Sequence, residues 1–132
     1  MAEVLLAQRL RQLGLDGEVS SAGLSALVGA PADPLAQELM LTRGLDLTKH
    51  RGRQLSAEMV RGADLVLVME ERQQRAVQSL ERSARGRVHR LGRMGKFDIP
   101  DPYRRGRASF EEALRLVDRG LDELMPVFWR TS

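Results

Sequence analysis

Cysteine is absent from this 132-residue sequence. Its absence excludes a disulfide framework, a thiolate metal site and a cysteine nucleophile supplied by these residues. The two histidines, His50 and His89, lie far apart without a carboxylate at ligand spacing, so we expect no structural metal and no cofactor. The longest apolar runs, such as residues 65–69, are far shorter than the roughly 20 residues that cross a bilayer. No secretory signal follows Met1, so we expect a cytoplasmic protein.

Aromatic side chains make up only 4% of the sequence, which leaves few rings for stacking nucleic-acid bases. The formal net charge is +3, and nearly all the cations are arginines, which suit phosphate better than lysines do. We therefore expect no nucleic-acid partner. A basic nucleic-acid binder, with affinity that falls steeply with salt, remains an alternative to test.

The periodicity of apolar residues predicts one α/β domain covering residues 1–132. A helix without an N-cap residue spans residues 1–13, a short β-like stretch spans residues 17–22, and a second helix begins at Asp33 and Pro34 and closes at Gly44. Ser56 caps a short helical turn through Arg61. Further along, the pattern predicts a strand at 63–69, a helix at 70–80, a strand at 87–91 and a loop at 92–107.

Ser109 and Glu112 form a predicted capping box at the start of a long terminal helix. The strand at 63–69 lacks polar alternation, which is typical of a strand covered on both faces. Together these elements predict a three-layer α/β fold in which helices flank a parallel sheet, with functional sites at the carboxyl ends of the strands.

The loop at residues 98–105 combines two carboxylates, a tyrosine ring and two guanidinium groups in a rigid frame set by two prolines. A proton donor must be held in a fixed position, and a rigid loop provides this. An ordinary Asp-Pro turn with a tyrosine on the surface fits the same spacing. Spacing alone leaves both interpretations open.

Four separated segments carry a resemblance to a known family: residues 21–34, 50–55, 64–70 and 99–103. The first segment contains Ser-Ala-Gly-Leu, then Val-Gly, then Ala-Asp-Pro. The other three segments read His-Arg-Gly-Arg-Gln-Leu, Asp-Leu-Val-Leu-Val-Met-Glu and Ile-Pro-Asp-Pro-Tyr. In their order and spacing the sequence resembles the low-molecular-weight protein tyrosine phosphatases, specifically the bacterial branch. The resemblance implies an enzyme that hydrolyses phosphotyrosine through a cysteinyl-phosphate intermediate.

The resemblance also implies roles for individual residues. Asp101 would protonate the leaving tyrosyl oxygen and then act as the base that activates water. Tyr103 would line the slot for the phosphotyrosine ring, Leu27 would form an apolar wall, and His50 would support the phosphate loop from the second shell. Simple loop packing of Leu27 and a structural role for His50 remain open alternatives.

Two features of the family are missing from this sequence: a first, central strand and a loop of the form Cys-x-x-x-x-x-Arg-Ser-Pro. The segment Met1-Ala2-Glu3 is similar to the residues that follow that Ser-Pro. We therefore expect a single domain incomplete at its N-terminus, without the nucleophilic cysteine and phosphate-loop arginine, and inactive as these 132 residues alone.

The resemblance implies a phosphotyrosine-containing protein as the partner, such as a bacterial tyrosine autokinase of polysaccharide export. A noncatalytic phosphotyrosine-binding module is the alternative. It would use a set of arginines on the loops, namely Arg51, Arg53, Arg104, Arg105 and Arg107. Against it, an ionised Asp101 would repel phosphate.

Overall fold

The computed structural model describes residues 1–129 and contains five α-helices, a 3₁₀ helix and two strands within that range. The elements in chain order are α1 (Ala2–Gln12), α2 (Pro34–Leu41), α3 (Ala57–Gly62), β1 (Val66–Val68), α4 (Glu71–Leu80), a 3₁₀ helix (Arg82–Arg87), β2 (Val88–Arg90) and α5 (Arg107–Phe128).

The two strands pair in parallel, with Val66 opposite Val88 and Val68 opposite Arg90. Both lie inside the predicted segments and are shorter than predicted. The β-like stretch predicted at residues 17–22 is wrong, since no strand forms there. Only Gly23, just beyond it, forms an isolated parallel bridge, with Gln54. A segment forms a strand only when a neighbouring strand supplies hydrogen bonds along its length.

Helices cover the sheet on both faces, which confirms the predicted three-layer α/β arrangement. On one face Leu67 packs against a core built from α1, α2 and α5. On the other face Val68 and Val88 pack with Val60 of α3 and Val77 of α4. The larger core buries Leu5, Leu10, Leu39, Met40, Leu91, Ile99, Phe110, Leu114, Val117, Leu121 and Leu124 among others. The long terminal helix predicted from the sequence is confirmed as α5, and its buried apolar side chains belong to this core.

Two of the predicted helix starts are confirmed by their caps. The Asp33 carboxylate accepts a hydrogen bond from the Leu35 backbone N–H (2.9 Å), with Pro34 in the first helical position. The Ser56 hydroxyl accepts one from the Met59 N–H (3.2 Å). Helix α1 begins at Ala2, and Met1 in the N-cap position provides no side-chain cap, as the sequence predicted.

The capping box predicted at Ser109 and Glu112 is wrong. Helix α5 begins earlier, at Arg107 after Gly106, whose φ of 84° suits glycine, so Ser109 lies inside the helix. The Gln73 side chain instead caps α4: its Oε1 accepts hydrogen bonds from the backbone N–H groups of Met69 and Glu70 (3.0 Å each).

Candidate active site

The loop that carries Asp101 is fixed to the carboxyl ends of both strands. The backbone N–H of Ile99, a buried residue, donates to the carbonyl of Met69 just after β1 (2.9 Å). The Asp98 carboxylate accepts from the Arg90 guanidinium at the end of β2 (2.8 Å) and from the Glu71 backbone N–H at the start of α4 (3.1 Å). The loop therefore lies at the edge of the sheet where α/β proteins bind ligands.

Asp98 serves as an anchor in this arrangement. The hydrogen bond from Arg90 lowers the pKa of Asp98 below its ordinary value, with a smaller opposing contribution from burial. The carboxylate is therefore ionised at neutral pH and bound to a cation. Of the two aspartates that the sequence singled out in this loop, Asp98 holds the loop in place.

Asp101 is exposed and held by a short turn. Its Oδ1 accepts a hydrogen bond from the Tyr103 backbone N–H (3.0 Å), and Pro100 and Pro102 restrict the backbone on either side. The second carboxylate oxygen has no hydrogen-bond partner within residues 1–129. The carboxyl group is therefore oriented by its own loop and retains an oxygen that can carry a proton to a substrate.

Tyr103 is 46% exposed, so much of its ring is open to solvent. The Arg104 guanidinium carbon lies 5.2 Å from the ring centroid, within the range of a cation–π contact. Arg104 has a φ of 61°, an uncommon conformation for a residue with a side chain. The turn thus displays the tyrosine ring directly beside Asp101, where it can contact an aromatic ligand.

Leu27 lies on a second loop, where it is 68% exposed. This loop is tied to the segment after His50 by two backbone hydrogen bonds, from Gly52 to Ala30 (2.8 Å) and from Gly29 to Gly52 (2.9 Å). A Cβ atom at position 52 would lie 2.4 Å from the Leu27 carbonyl oxygen, so the close approach requires glycine. Leu27 is therefore an apolar side chain presented on an anchored loop.

His50 contacts the first turn of α1. Its Nδ1 lies 3.4 Å from the Glu3 carboxylate, which also accepts a hydrogen bond from the Ser21 hydroxyl (2.9 Å). Glu3 thus joins three separate segments at the N-terminus of α1, where a carboxylate is also favoured by the helix dipole. Sequence reasoning missed Glu3; its place in the first turn was the only signal.

The predicted site residues form two groups in the structure. Asp101 and Tyr103 share one turn, whereas Leu27 and His50 belong to the loops beside α1. No side-chain hydrogen bond joins the two groups within the part of the chain described.

The arginines proposed for phosphate binding are engaged in different ways. Arg51 donates to the carbonyls of Thr48 and His50, and Arg53 donates to the Ser21 carbonyl. Arg107 pairs with the carboxylates of Glu38 (2.9 Å) and Glu111 (3.0 Å), and these raise its pKa. Arg107 is therefore occupied by carboxylates and is a poor candidate for binding an anion.

Residues 1–129 contain neither a cluster of metal-binding side chains nor a membrane-crossing helix. No three His, Asp or Glu side chains are grouped so that they could hold a metal ion. No helix there combines the length and the hydrophobicity of a membrane-crossing segment.

Comparison with known proteins bears on the identity of the domain. Residues 1–131 match the family model described as low molecular weight phosphotyrosine protein phosphatase. The chain is 46% identical over 126 residues to a probable low molecular weight protein-tyrosine-phosphatase, EpsP, of Ralstonia nicotianae, covering 96% of this chain and 84% of the relative. It is 39% identical over 117 residues to the phosphatase Ptp of Acinetobacter johnsonii (89% and 80% covered).

Solved structures agree with these sequence matches. Vibrio vulnificus Wzb in complex with benzylphosphonate superposes with a TM-score of 0.87 at 32% identity, covering 96% of this chain and 88% of that one. The tyrosine phosphatase Wzb of Escherichia coli K30 in complex with sulphate gives 0.84 at 31% identity (96% and 86% covered). The fold, the bacterial branch and the enzyme class predicted from the sequence are confirmed, and the chain belongs to the low molecular weight phosphotyrosine protein phosphatase family.

Proposed function

We propose that this chain supplies the acid–base and substrate-recognition groups of a phosphotyrosine phosphatase. Asp101 is the general acid and base, Tyr103 and Leu27 contact the phosphotyrosine ring, and His50 supports the phosphate-binding segment through Glu3. The observation that carries the proposal is the turn in which Asp101 and Tyr103 are hydrogen-bonded to each other at the carboxyl end of the sheet.

The chemistry requires a thiolate that these residues do not contain. The thiolate attacks phosphorus and the P–O bond to tyrosine breaks, while Asp101 gives its proton to the departing phenolate oxygen. Water then attacks the cysteinyl phosphate, and Asp101 takes the proton from that water. Without the thiolate, Asp101 has no phosphoryl transfer to assist, so the 132 residues alone should not hydrolyse phosphate esters.

The proposed substrate is a phosphotyrosine-containing protein, and a bacterial tyrosine autokinase of polysaccharide export is the proposed physiological example, encountered in the cytoplasm. Benzylphosphonate, which occupies the Vibrio vulnificus relative, joins an aromatic ring to a tetrahedral phosphonate. The exposed ring of Tyr103 and the exposed side chain of Leu27 are suited to contact such a ring.

The decisive experiment compares the chain with an extended version that carries, before Met1, a hydrophobic strand and the Cys-x-x-x-x-x-Arg-Ser-Pro loop. The chain alone should not hydrolyse phenyl phosphate, and the extended version should. In the extended version Asp101→Asn should lower kcat for phenyl phosphate by roughly 10²–10⁴-fold. The loss should be smaller for 4-nitrophenyl phosphate, because its leaving oxygen is less basic and needs less protonation.

Asp16→Asn is the matched control, because Asp16 is an exposed aspartate without a hydrogen-bond partner in residues 1–129. It should leave both rates unchanged. If Asp101→Asn reduced neither rate, or reduced both by the same factor, Asp101 would not be the proton donor.

A noncatalytic phosphotyrosine-binding module is the second candidate, and the exposed positions of Arg51, Arg53 and Arg105 favour it. It predicts micromolar binding of a phosphotyrosyl peptide by the 132-residue chain. It also predicts that the extended version binds the same peptide without turning it over.

A further inference from the structure

A basic groove lies between helix α4, the 3₁₀ helix and the outer edge of β2. Its volume is about 360 Å³, and its walls come from three consecutive elements and the turn after them. The lining residues are Glu71, Gln74, Arg85, Val88, His89, Arg90 and Arg93. None of the residues assigned to the phosphatase chemistry lines it.

The groove carries three guanidinium groups and one carboxylate. Arg85 and Arg93 have no carboxylate partner within residues 1–129, whereas Arg90 is bound to Asp98 (2.8 Å). Glu71 lies 3.7 Å from the Arg75 guanidinium, which offsets its charge. The field inside the groove is therefore positive at neutral pH, although the net charge of the whole chain is only +3.

His89 positions Arg93 without cancelling its charge. The Arg93 Nη1 lies 3.2 Å from the His89 Nδ1, and arginine can only donate, so Nδ1 is an unprotonated acceptor. Burial lowers the pKa of His89, as does the charge of Arg93, while a hydrogen bond to the Gly86 backbone opposes both. The ring packs on Phe128 at 4.9 Å between centroids. The neutral imidazole thus accepts one N–H of the guanidinium and leaves its other N–H groups for a ligand.

The groove is close to the loop of Asp101. Arg90 contacts Asp98, and Asp101 is three positions after Asp98, a span of at most about 11 Å between Cα atoms. An extended peptide advances about 3.3 Å per residue. The arginine side chains of the groove add their own length to this reach. A substrate residue roughly four to six positions from a phosphotyrosine held at Asp101 would therefore contact the groove.

We propose that this groove binds acidic side chains of the protein substrate, about four to six residues from the phosphotyrosine. The inference rests on the proposed function, because it assumes that a phosphotyrosine is held beside Asp101. Arginine forks suit carboxylates, which they bind through two parallel N–H groups. A nucleic acid fits less well, since His89, the only ring that residues 1–129 place in the groove, is already packed on Phe128.

The test measures binding of fluorescent peptides to the full 132-residue chain by anisotropy. One peptide carries unphosphorylated tyrosine with glutamates four to six residues away; its partner has glutamines there. The chain should bind the glutamate peptide more tightly. Arg85→Gln/Arg93→Gln should weaken that binding about two- to thirtyfold, the loss expected from two exposed charge pairs.

Arg11→Gln/Arg82→Gln is the matched control. It also removes two positive charges, but from exposed positions outside the groove, and it should leave the affinity for the glutamate peptide unchanged. Equal losses in the two double variants would mean that overall charge, and not the groove, attracts the peptide. Equal binding of the glutamate and glutamine peptides would also overturn the proposal. The arginines would then serve only to prevent another strand from pairing with the edge of β2.

Three further measurements separate the possible outcomes. In the unmodified chain, the glutamate peptide should shift the backbone amide NMR signals of Arg85, His89 and Arg93, a result that does not depend on how a variant folds. A single-stranded oligonucleotide that binds with an equal dependence on Arg85 and Arg93 would show a general polyanion site and contradict the proposal. Turnover of phosphotyrosyl peptides by the extended version tests the other site: if it hydrolyses a glutamine-flanked peptide and flanking glutamates do not change kcat/KM, this inference fails and the proposed function stands.

Discussion

Replacing Asp98 with alanine should loosen the loop that carries Asp101. The variant leaves the Glu71 N–H at the start of α4 without its acceptor, and loss of such a cap costs about 1 kcal/mol. It also breaks the pair with Arg90. The Asp98 side chain is 42% exposed, so water screens this pair and its contribution is about 0.5 kcal/mol. The expected loss in free energy of unfolding is therefore about 1–2 kcal/mol.

Urea denaturation at pH 7 measures this loss, and a double-mutant cycle with Arg90→Ala isolates the ion pair. Because the pKa of Asp98 is lowered in the folded state, its stabilisation is present above the unfolded pKa of about 3.9 and disappears as the pH falls through the lower folded value. The difference in free energy of unfolding between the parent chain and Asp98→Asn should therefore shrink as the pH falls.

Amide hydrogen exchange locates the effect. The N–H groups of Ile99 and Tyr103 should exchange faster in Asp98→Ala, whereas that of Leu121, buried in α5, should change only through global stability. A stability loss below about 0.3 kcal/mol, combined with unchanged exchange at Ile99 and Tyr103, would refute the anchoring role of Asp98.

Two further predictions concern other parts of the fold. Gly120→Ala should lower the free energy of unfolding by about 1–2 kcal/mol, because a Cβ there would lie 2.7 Å from the Leu91 Cγ. Gly62→Ala is the control: its Cβ would enter open space, so the substitution should be neutral or stabilising. Thermal denaturation of both variants checks this. Burial raises the pKa of Asp118, but its contacts with Arg43 and Arg9 outweigh that effect and lower it. The stabilisation lost in Asp118→Asn should therefore be present above about pH 4 and vanish as the pH falls through the folded pKa, as denaturation across that range would show.

Local signals in the sequence predicted the helices better than the strands. The caps of α2 and α3 depend on residues within three positions of each other, and both are present. The pattern at Ser109 and Glu112 is equally local but wrong, because Gly106 starts α5 earlier and the helix passes through Ser109. A strand at residues 17–22 requires a partner elsewhere in the chain, and periodicity cannot supply that information.

The site was predictable to the extent that it is local. Asp101 and Tyr103 are two residues apart, and the prolines around them indicated a fixed turn that the structure contains. The contact of Glu3 with Ser21 and His50 joins positions 18 and 47 residues apart, so no spacing rule would have found it. The basic groove was missed for a related reason, since the charge of Arg85 and Arg93 was visible in the sequence but their convergence was not.

The polar contacts of Asp98 and Ile99 also determine how the two strands are aligned. Residues 65–69 are all apolar, so sliding β1 by one position would exchange the side chains facing the two cores without exposing a polar group. Hydrophobic pattern alone therefore specifies this alignment weakly. The bonds from Ile99 to Met69 and from Arg90 to Asp98 hold only in one alignment. The same few atoms that hold the Asp101 loop in place therefore also select one sheet among alternatives of similar hydrophobicity.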